Sequence, residues 1–193
     1  MIACMGDLWL VRHGETEWSR SGRHTSRTDL PLTPLGVTQA AALARVLGNQ
    51  KFSVVLTSPL GRARETARLA GYATAVVEPN LHEWDYGEYE GRTTAEIQRE
   101  RAGWTLWNGG VPGGESADQV GARTDAVIAR VQAADGDVAL FAHGHILRVL
   151  AARWLGLGPE QGQLFALQTA TISVLGFEHS ERVIIRWNLS VSA

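Results

Sequence analysis

DLWLVRHGETEWS, residues 7–19, is the stretch that decides the fold. It contains a short apolar run, residues 8–11, that stops abruptly at Arg12, His13 and Gly14. An apolar run of this length, bounded by charge and glycine, is typical of a buried β-strand. Ligands of open α/β sheets bind beyond the carboxyl ends of the strands, so Arg12 and His13 lie where chemistry is expected. A guanidinium donates to phosphate oxygens and a neutral imidazole can be a nucleophile, which together favour an anionic substrate.

Strand and helix signals alternate along the rest of the chain. Further strands are predicted at residues 52–57, 75–77 and 137–142, and helices at 33–47, 61–71, 93–101, 116–134 and 146–155. Two β-rich runs, residues 170–177 and 182–189, flank His179 and Ser180 as in a terminal hairpin. The alternation predicts a three-layer α/β/α sandwich with a mainly parallel central sheet and an antiparallel strand toward the C-terminus. We expect one domain, residues 1–193.

Caps, apolar faces and polar runs predict the local structure of several segments. Thr33 is predicted to cap a helix that has Pro34 in its first turn. The apolar face of that helix is expected to comprise Leu35, Ala42, Leu43, Val46 and Leu47. Residues 17–27 and 81–91 are polar or acidic and are expected to be loops. Residues 104–114 are expected to be irregular. For Trp104 and Trp107 both core packing and a wall over the pocket are open, and the wall is the preferred interpretation.

The composition excludes several classes of protein. The chain has 193 residues, 45% of them apolar and 20% charged, with a formal net charge of -2, so neither a nucleic-acid footprint nor a polybasic membrane patch is expected. No apolar run approaches the length of a membrane span, and the N-terminal stretch lacks the basic region of a signal peptide. Cys4 is the only cysteine, which excludes an intrachain disulfide and suits a cytoplasmic location.

Two segments of the sequence echo each other. LWLVRHG at residues 8–14 and VALFAHG at 138–144 are both apolar runs that end in His-Gly. If the two strands are parallel, His13 and His143 emerge from the same sheet edge, and the strand before Arg62 points the same way. An anion pocket suited to a phosphoryl group would then form. Its parts would be the two imidazoles, the guanidiniums of Arg12 and Arg62, and the helix N-terminus after Gly144.

This combination of motifs resembles the histidine phosphatase superfamily, the clan of phosphoglycerate mutases and related phosphatases. The motifs are RHGET at residues 12–16, SPLGR at 58–62, the acidic loop at 81–91 and the late His143-Gly144. The resemblance covers nearly the whole chain and implies an enzyme, a phosphoric monoester hydrolase. His13 would be the nucleophile that forms a phosphohistidine, and Glu83 would donate a proton to the leaving alcohol.

The resemblance also implies which residues hold the substrate. Arg12, Arg62 and His143 would stabilise the transferring phosphoryl group, and water would then hydrolyse the phosphohistidine. The expected substrate-binding residues are Arg12, Ser19, Thr25, Ser26, Arg62, His143 and Gly144. His24 and His145 are extra imidazoles near the expected mouth of the pocket, and substrate contact and ordinary surface placement are equally open for them. No cofactor or metal is expected, and the partner is a small phosphorylated substrate.

Three alternatives remain open beside a phosphatase. A mutase would protect the phosphohistidine from water, but the 59 residues between Glu83 and His143 leave only a short insert, which favours hydrolysis. A non-catalytic phosphate-binding protein could use the same scaffold. A metallohydrolase would need ligands such as His13, His143, His145 and Asp85, whose spacing matches no metal motif. The β-rich C-terminus also leaves a homodimer open.

Overall fold

The fold is built on one mixed β-sheet, seen here in a computed structural model that describes residues 6–191. Cys4 lies outside the described residues. Within them the sheet has six strands: β1 (Leu8–Arg12), β2 (Val54–Thr57), β3 (Val76–Val77), β4 (Val138–Ala142), β5 (Thr171–Glu178) and β6 (Glu181–Ser190). Their spatial order is β3-β2-β4-β1-β5-β6. Strands β1 to β4 pair in parallel, whereas β5 runs antiparallel to both β1 and β6.

Helices cover both faces of this sheet. In chain order they are α1 (Glu17–Ser21), α2 (Pro34–Ala42), α3 (Ala44–Leu47), α4 (Gly61–Leu69), α5 (Thr94–Glu100), α6 (Leu106–Gly109), α7 (Ala117–Gln132) and α8 (Gly144–Trp154). Short 3-10 turns lie at Pro79–Leu81, Gly87–Tyr89 and Pro159–Leu164. No helix of the described part of the chain is long and apolar enough to cross a membrane.

Side-chain alternation along β1 explains the three layers. Leu8 and Leu10 belong to a hydrophobic cluster with residues of α7 and α8, including Val127 and Leu147. Val11 points to the other face, into a cluster with residues of α3 and α4. Because successive side chains of a strand point to opposite faces, β1 is buried on both sides. The predicted α/β/α sandwich with antiparallel strands at its C-terminal end is confirmed.

Three local predictions were wrong. Residues 17–27 are not all loop, because Thr16 and Ser19 form a capping box that starts α1. That helix has five residues and none is buried, so it leaves no apolar period in the sequence. Residues 104–114 likewise contain α6, which begins with a capping box between Thr105 and Asn108.

The predicted helix at 33–47 is the third. Thr33 does cap it and Pro34 does lie in its first turn, but the helix breaks at Leu43 into α2 and α3. Leu35 and Val46, expected on the buried face, are 52% and 38% exposed. A single buried face therefore does not run through the whole segment.

Candidate active site

The carboxyl ends of β1 and β4 meet at the site. Arg12 pairs with Ala142 across the two parallel strands, so His13 and His143 follow them side by side. The backbone N–H of His13 donates to Ala142 O at 3.0 Å, which continues the ladder by one residue. The two imidazole rings lie 5.1 Å apart, centroid to centroid, inclined at 60°. The two His-Gly segments thus converge as the sequence indicates.

His13 is buried and held in one tautomer. Its Nδ1 lies 2.7 Å from the carbonyl oxygen of Gly14, which can only accept, so Nδ1 carries the proton. The lone pair is then on Nε2. Burial, and next the positive charges of Arg62 and Arg12, hold the pKa of His13 well below its ordinary value. The ring is therefore neutral at neutral pH, the state in which a histidine attacks.

Gly14 allows this turn to pack tightly. A Cβ at this position would lie 2.4 Å from the carbonyl oxygen of Gly36, at the start of α2. The N–H of Gly14 donates to Thr66 Oγ1 at 3.0 Å, and the Thr66 hydroxyl donates to Arg62 O at 2.7 Å. The turn after His13 is thus fixed against both α2 and α4.

The partners of His143 also select its tautomer. Arg62 Nε donates to His143 Nδ1 at 3.2 Å, so Nδ1 carries no proton. Nε2–H then donates to Ser58 Oγ at 2.7 Å. The ring is completely buried, and burial followed by the charge of Arg62 holds the pKa of His143 well below its ordinary value. His143 is thereby fixed as a neutral imidazole.

Arg62 organises a loop as well as His143. Its Nη1 donates to Thr28 O at 3.1 Å, and Nη2 donates to Thr25 O and Ser26 O at 3.2 and 3.1 Å. The guanidinium is buried in α4 and does not line the cavity described below. The positive charge of Arg62 lowers the pKa of both His13 and His143. Arg62 therefore keeps the two histidines neutral from a buried position outside the cavity lining.

Unlike Arg62, Arg12 lines the cavity described below. Its Nη1 donates to Leu167 O at 2.5 Å, while Nε is buried and has no partner within residues 6–191. Gly144 lets it lie flat on the strand–helix junction, since a Cβ there would be 3.2 Å from Arg12 Cζ. A buried donor without a partner is costly, so this Nε is available to an anion.

Glu83 lies at the N-terminus of α8. One carboxylate oxygen, Oε1, accepts from the backbone N–H groups of Trp84 and Ile146, each at 2.9 Å. The other, Oε2, accepts from His145 N at 3.0 Å. Helix N-termini attract negative charge, and these bonds fix the direction of the carboxyl group. Glu83 is thereby held rigidly at the wall of the cavity that contains His13.

A cavity of about 210 Å³ opens over these groups. It is lined by Arg12, His13, Ser19, Gly22, Arg23, His24, Thr25, Glu83, Tyr86, Thr94, Gly144, His145, Arg148 and Leu167. Ser19 and Thr25 thus line this cavity, and their contact with substrate stays a prediction. Ser26 does not line the cavity, because its hydroxyl donates to Glu83 O at 3.3 Å and its N–H donates to Glu90.

The far wall of the cavity contains groups that sequence reasoning did not assign. Tyr86 shares a 2.6 Å hydrogen bond with His145 Nδ1, and its ring lies 4.8 Å from that of His24. Burial lowers the pKa of His24 to about 4 and that of His145 well below its ordinary value. Burial also raises the pKa of Tyr86. The wall is uncharged at neutral pH and is not ordinary surface.

Neither tryptophan of the 104–114 segment lines this cavity. Trp104 is buried in the core, stacked edge-on to Tyr89 at 5.2 Å, with its Nε1 donating to Gly110 O at 2.9 Å. Trp107 packs behind His145, whose ring lies 5.4 Å away. The predicted wall over the pocket is therefore wrong. Asp85 also lies outside the cavity, and the described residues contain no group of three or more potential metal-ligating side chains.

Comparison with known proteins agrees with this geometry. Residues 8–190 match the histidine phosphatase superfamily (branch 1). A Mycobacterium tuberculosis protein named acid phosphatase is 42% identical over 179 residues, which cover 91% of this chain and 88% of that protein. Sedoheptulose 1,7-bisphosphatase of Saccharomyces cerevisiae is 39% identical over 186 residues, with 79% of this chain and 68% of that protein covered.

A solved structure is similar over nearly the whole chain. The product of an open reading frame of Mycobacterium tuberculosis superposes with a TM-score of 0.92 at 40% identity, covering 97% of this chain and 99% of that one. Its sheet and helix arrangement is thus the one described above. The chain belongs to the histidine phosphatase superfamily and is a phosphoric monoester hydrolase, as its motifs predict.

Proposed function

We propose that this protein is a metal-independent phosphomonoesterase that hydrolyses a small phosphorylated metabolite through a phosphohistidine on His13. One observation supports this most directly: the bond from Nδ1–H to Gly14 O leaves the Nε2 lone pair of a neutral imidazole at a cavity that Arg12 and Glu83 also line. A nucleophile, a cation for the phosphoryl oxygens and a proton carrier are the parts that phosphoryl transfer needs.

In the first step His13 Nε2 attacks phosphorus in line with the leaving alcohol. The N–P bond forms as the P–O bond to the alcohol breaks, and Glu83 in its acid form gives its proton to the departing oxygen. The ring gains positive charge as the bond forms, and the Gly14 carbonyl stabilises it through Nδ1–H. Arg12 Nε and the backbone N–H of Gly144, in the first turn of α8, are the proposed donors to the phosphoryl oxygens.

In the second step water replaces the alcohol. Glu83, now a carboxylate, takes a proton from the water as its oxygen attacks phosphorus, and the N–P bond breaks to release phosphate. His143 and Arg62 act beside the phosphoryl group: the first as a fixed neutral ring, the second by its charge. Splitting the hydrolysis in two needs no change in the protein beyond the proton on Glu83.

The short connection between Glu83 and His143 favours hydrolysis over a mutase reaction. It holds one 3-10 turn, the small helix α5, the four-residue α6, and then α7 and β4. Of this segment, Tyr86 and Thr94 line the cavity, but its three tryptophans, Trp84, Trp104 and Trp107, do not. No indole therefore covers His13, which favours access of water to the phosphohistidine.

The first test is phosphate release from p-nitrophenyl phosphate in excess chelator. Wild type should turn over, His13→Ala should lose about 10³-fold or more of kcat, and intact mass after rapid quench should show one added phosphoryl group in wild type only. His82→Ala is the matched control, because that ring is half-exposed and bonds Pro79 O outside the cavity. Equal turnover in wild type and His13→Ala would refute the nucleophile.

The second test addresses Glu83 through the leaving group. Glu83→Gln should lower kcat/KM strongly for an alkyl phosphate, whose alkoxide needs a proton, and weakly for p-nitrophenyl phosphate, whose phenolate leaves unaided. The amide oxygen can still accept from the N–H groups of Trp84 and Ile146, but the NH2 group that replaces Oε2 cannot accept from His145 N–H. The test therefore compares the two substrates within one variant, where this loss affects both equally. A loss of equal size for both substrates would mean that Glu83 does not donate the proton.

A further inference from the structure

Arg148 is a cation of the cavity wall that the mechanism above does not use. It lies on α8 four residues after Gly144, so the two residues share one face of the helix and are about 6 Å apart along its axis. Helical side chains tilt toward the N-terminus, which directs Arg148 back toward the catalytic end. Its guanidinium therefore borders the same cavity as His13, further from the strand ends.

The guanidinium of Arg148 is held in place from two directions. Its Nε donates to Gly162 O at 3.1 Å and its Nη2 to Gln163 O at 3.3 Å. The indole of Trp107 stacks against it, with Arg148 Cζ 4.6 Å from the ring centroid. Nη1 donates to no group among residues 6–191. A planar fork that is already immobilised can bind a ligand with little further loss of entropy.

Arg148 also lacks a counter-ion. The charged side chains that line the cavity are Arg12, Arg23, Arg148 and Glu83. Arg23 contacts the Glu96 carboxylate at 3.4 Å, and Arg12 is the proposed partner of the phosphoryl group. Within the described residues Arg148 forms no ion pair. Burial and then the charge of Arg12 lower the pKa of Arg148, so a nearby anion would stabilise the charged guanidinium.

We propose that Arg148 binds a second anionic group, a carboxylate or a phosphate, carried by the alcohol part of the substrate. The preferred substrates are then phosphomonoesters with a second anion, and Arg148 is a specificity-determining residue. This inference rests on the proposed function and names the substrate class of that site. Between the two anions, the uncharged wall of His24, Tyr86 and His145 faces the alcohol and suits hydroxyl groups.

The test uses matched substrates that differ only by the second anion. One pair is 3-phosphoglycerate and glycerol 3-phosphate, and the other is fructose 1,6-bisphosphate and fructose 6-phosphate. Wild type should prefer the first member of at least one pair. Arg148→Met should lower the ratio of the two kcat/KM values in that pair by about 10- to 100-fold, the usual effect of a charged hydrogen bond. The pair that responds identifies the second anion as carboxylate or phosphate.

A ratio within one protein sample is unaffected by the fraction that is folded. This matters because Arg148→Met also removes the bonds to Gly162 and Gln163, and Arg148→Lys should restore part of the preference by keeping the charge. Arg153→Met is the control: it lies on α8, pairs with Asp125 at 2.9 Å outside the cavity, and should leave both ratios unchanged.

The outcomes separate this inference from the proposed function. Equal losses for both members of each pair would show that Arg148 only anchors the 162–163 turn, and would overturn the inference. Absence of any preference in wild type would overturn it as well, provided that p-nitrophenyl phosphate is hydrolysed. No turnover of p-nitrophenyl phosphate or of any of the four substrates would instead overturn the proposed function, and the inference with it.

Discussion

The two histidines at the centre of the site differ in tautomer because they differ in neighbours. Beside His13 Nδ1 lies a carbonyl oxygen, which forces a proton onto that nitrogen. Beside His143 Nδ1 lies the Arg62 Nε–H, which excludes one. Only His13 therefore presents the free Nε2 lone pair required of a nucleophile, while His143 Nε2–H is occupied by Ser58. The two histidines of the His-Gly segments thus carry their protons on different nitrogens, and only one of them is suited to attack phosphorus.

Removing the Ser58 hydroxyl tests whether activity depends on the fixed tautomer of His143. Ser58→Ala leaves the buried Nε2–H of His143 without a partner and should lower the free energy of unfolding by about 1–3 kcal/mol. Because the ring is then less well fixed, kcat/KM for p-nitrophenyl phosphate should fall by about tenfold or more. Urea denaturation and steady-state kinetics on the same preparation measure both effects.

The control for Ser58 is Ser53→Ala at the start of the same strand. The Ser53 hydroxyl donates to Asp137 O at 3.0 Å at the exposed amino end of the strand, opposite to the site, so kcat/KM should be unchanged. If Ser58→Ala is fully active, His143 needs no fixed tautomer and its proposed part in the reaction is wrong.

At the scale of elements, the strand–helix junction after β4 has two tasks. Gly144 begins α8 and also leaves room for the Arg12 guanidinium, whose Cζ would be 3.2 Å from an added Cβ. Alanine is the better residue for a helix, whereas glycine serves the site. Stability and activity therefore make opposite demands on this one position.

Gly144→Ala should separate those demands. The new methyl group should displace Arg12 by a few tenths of an ångström, and kcat/KM should fall by about tenfold or more, since misplaced phosphate donors are costly. The free energy of unfolding should change by less than about 1 kcal/mol, because the gain in helix propensity offsets the crowding. Thermal unfolding and steady-state kinetics measure the two quantities. A marked fall in the free energy of unfolding together with the fall in kcat/KM would contradict this prediction.

For the molecule as a whole, the site is a group of buried imidazoles that folding keeps neutral. The pKa of His24 is about 4 in the folded protein against 6.5 when exposed, and those of His13, His143 and His145 are lowered in the same direction. In the unfolded chain all four would take up protons as the pH falls through 6.5. Since the unfolded state binds more protons, acid favours unfolding.

Stability should therefore be retained above pH 6.5 and decline below it. For His24 the decline should approach 1.4 kcal/mol per pH unit and continue down to about pH 4, where the folded protein also becomes protonated. Urea denaturation at about pH 7.5 and about pH 5 would measure it. His24→Gln should have a shallower slope than wild type, and an identical slope in the two proteins would contradict the shifted pKa.

Much of this architecture follows from local sequence patterns. The apolar runs ending in Arg12-His13 and in His143 predict two buried strands, and His-Gly at both ends predicts that they converge. The capping pattern at Thr33 and the buried face of α7 are equally local. Such features depend on residues a few positions apart, which is why the sequence alone determines them. The substrate contacts of Ser19 and Thr25 come from the resemblance and not from a local pattern. Both residues line the cavity, and the contacts stay a prediction.

Tertiary structure decided what depends on distant contacts. Ser26 turned out to support Glu83, Trp104 to pack in the core, and Arg62 to bond the carbonyls of a loop more than 30 residues away in the chain. The tautomer of His143 likewise arises from a contact between segments far apart, as does the cavity shared by His24, Tyr86, His145 and Arg148. The tautomer of His13, by contrast, depends on the adjacent Gly14 carbonyl. A sequence specifies the order of strands and helices through short-range periodicity, but the proton's position on His143 or a cavity's wall depends on atoms that only packing brings together.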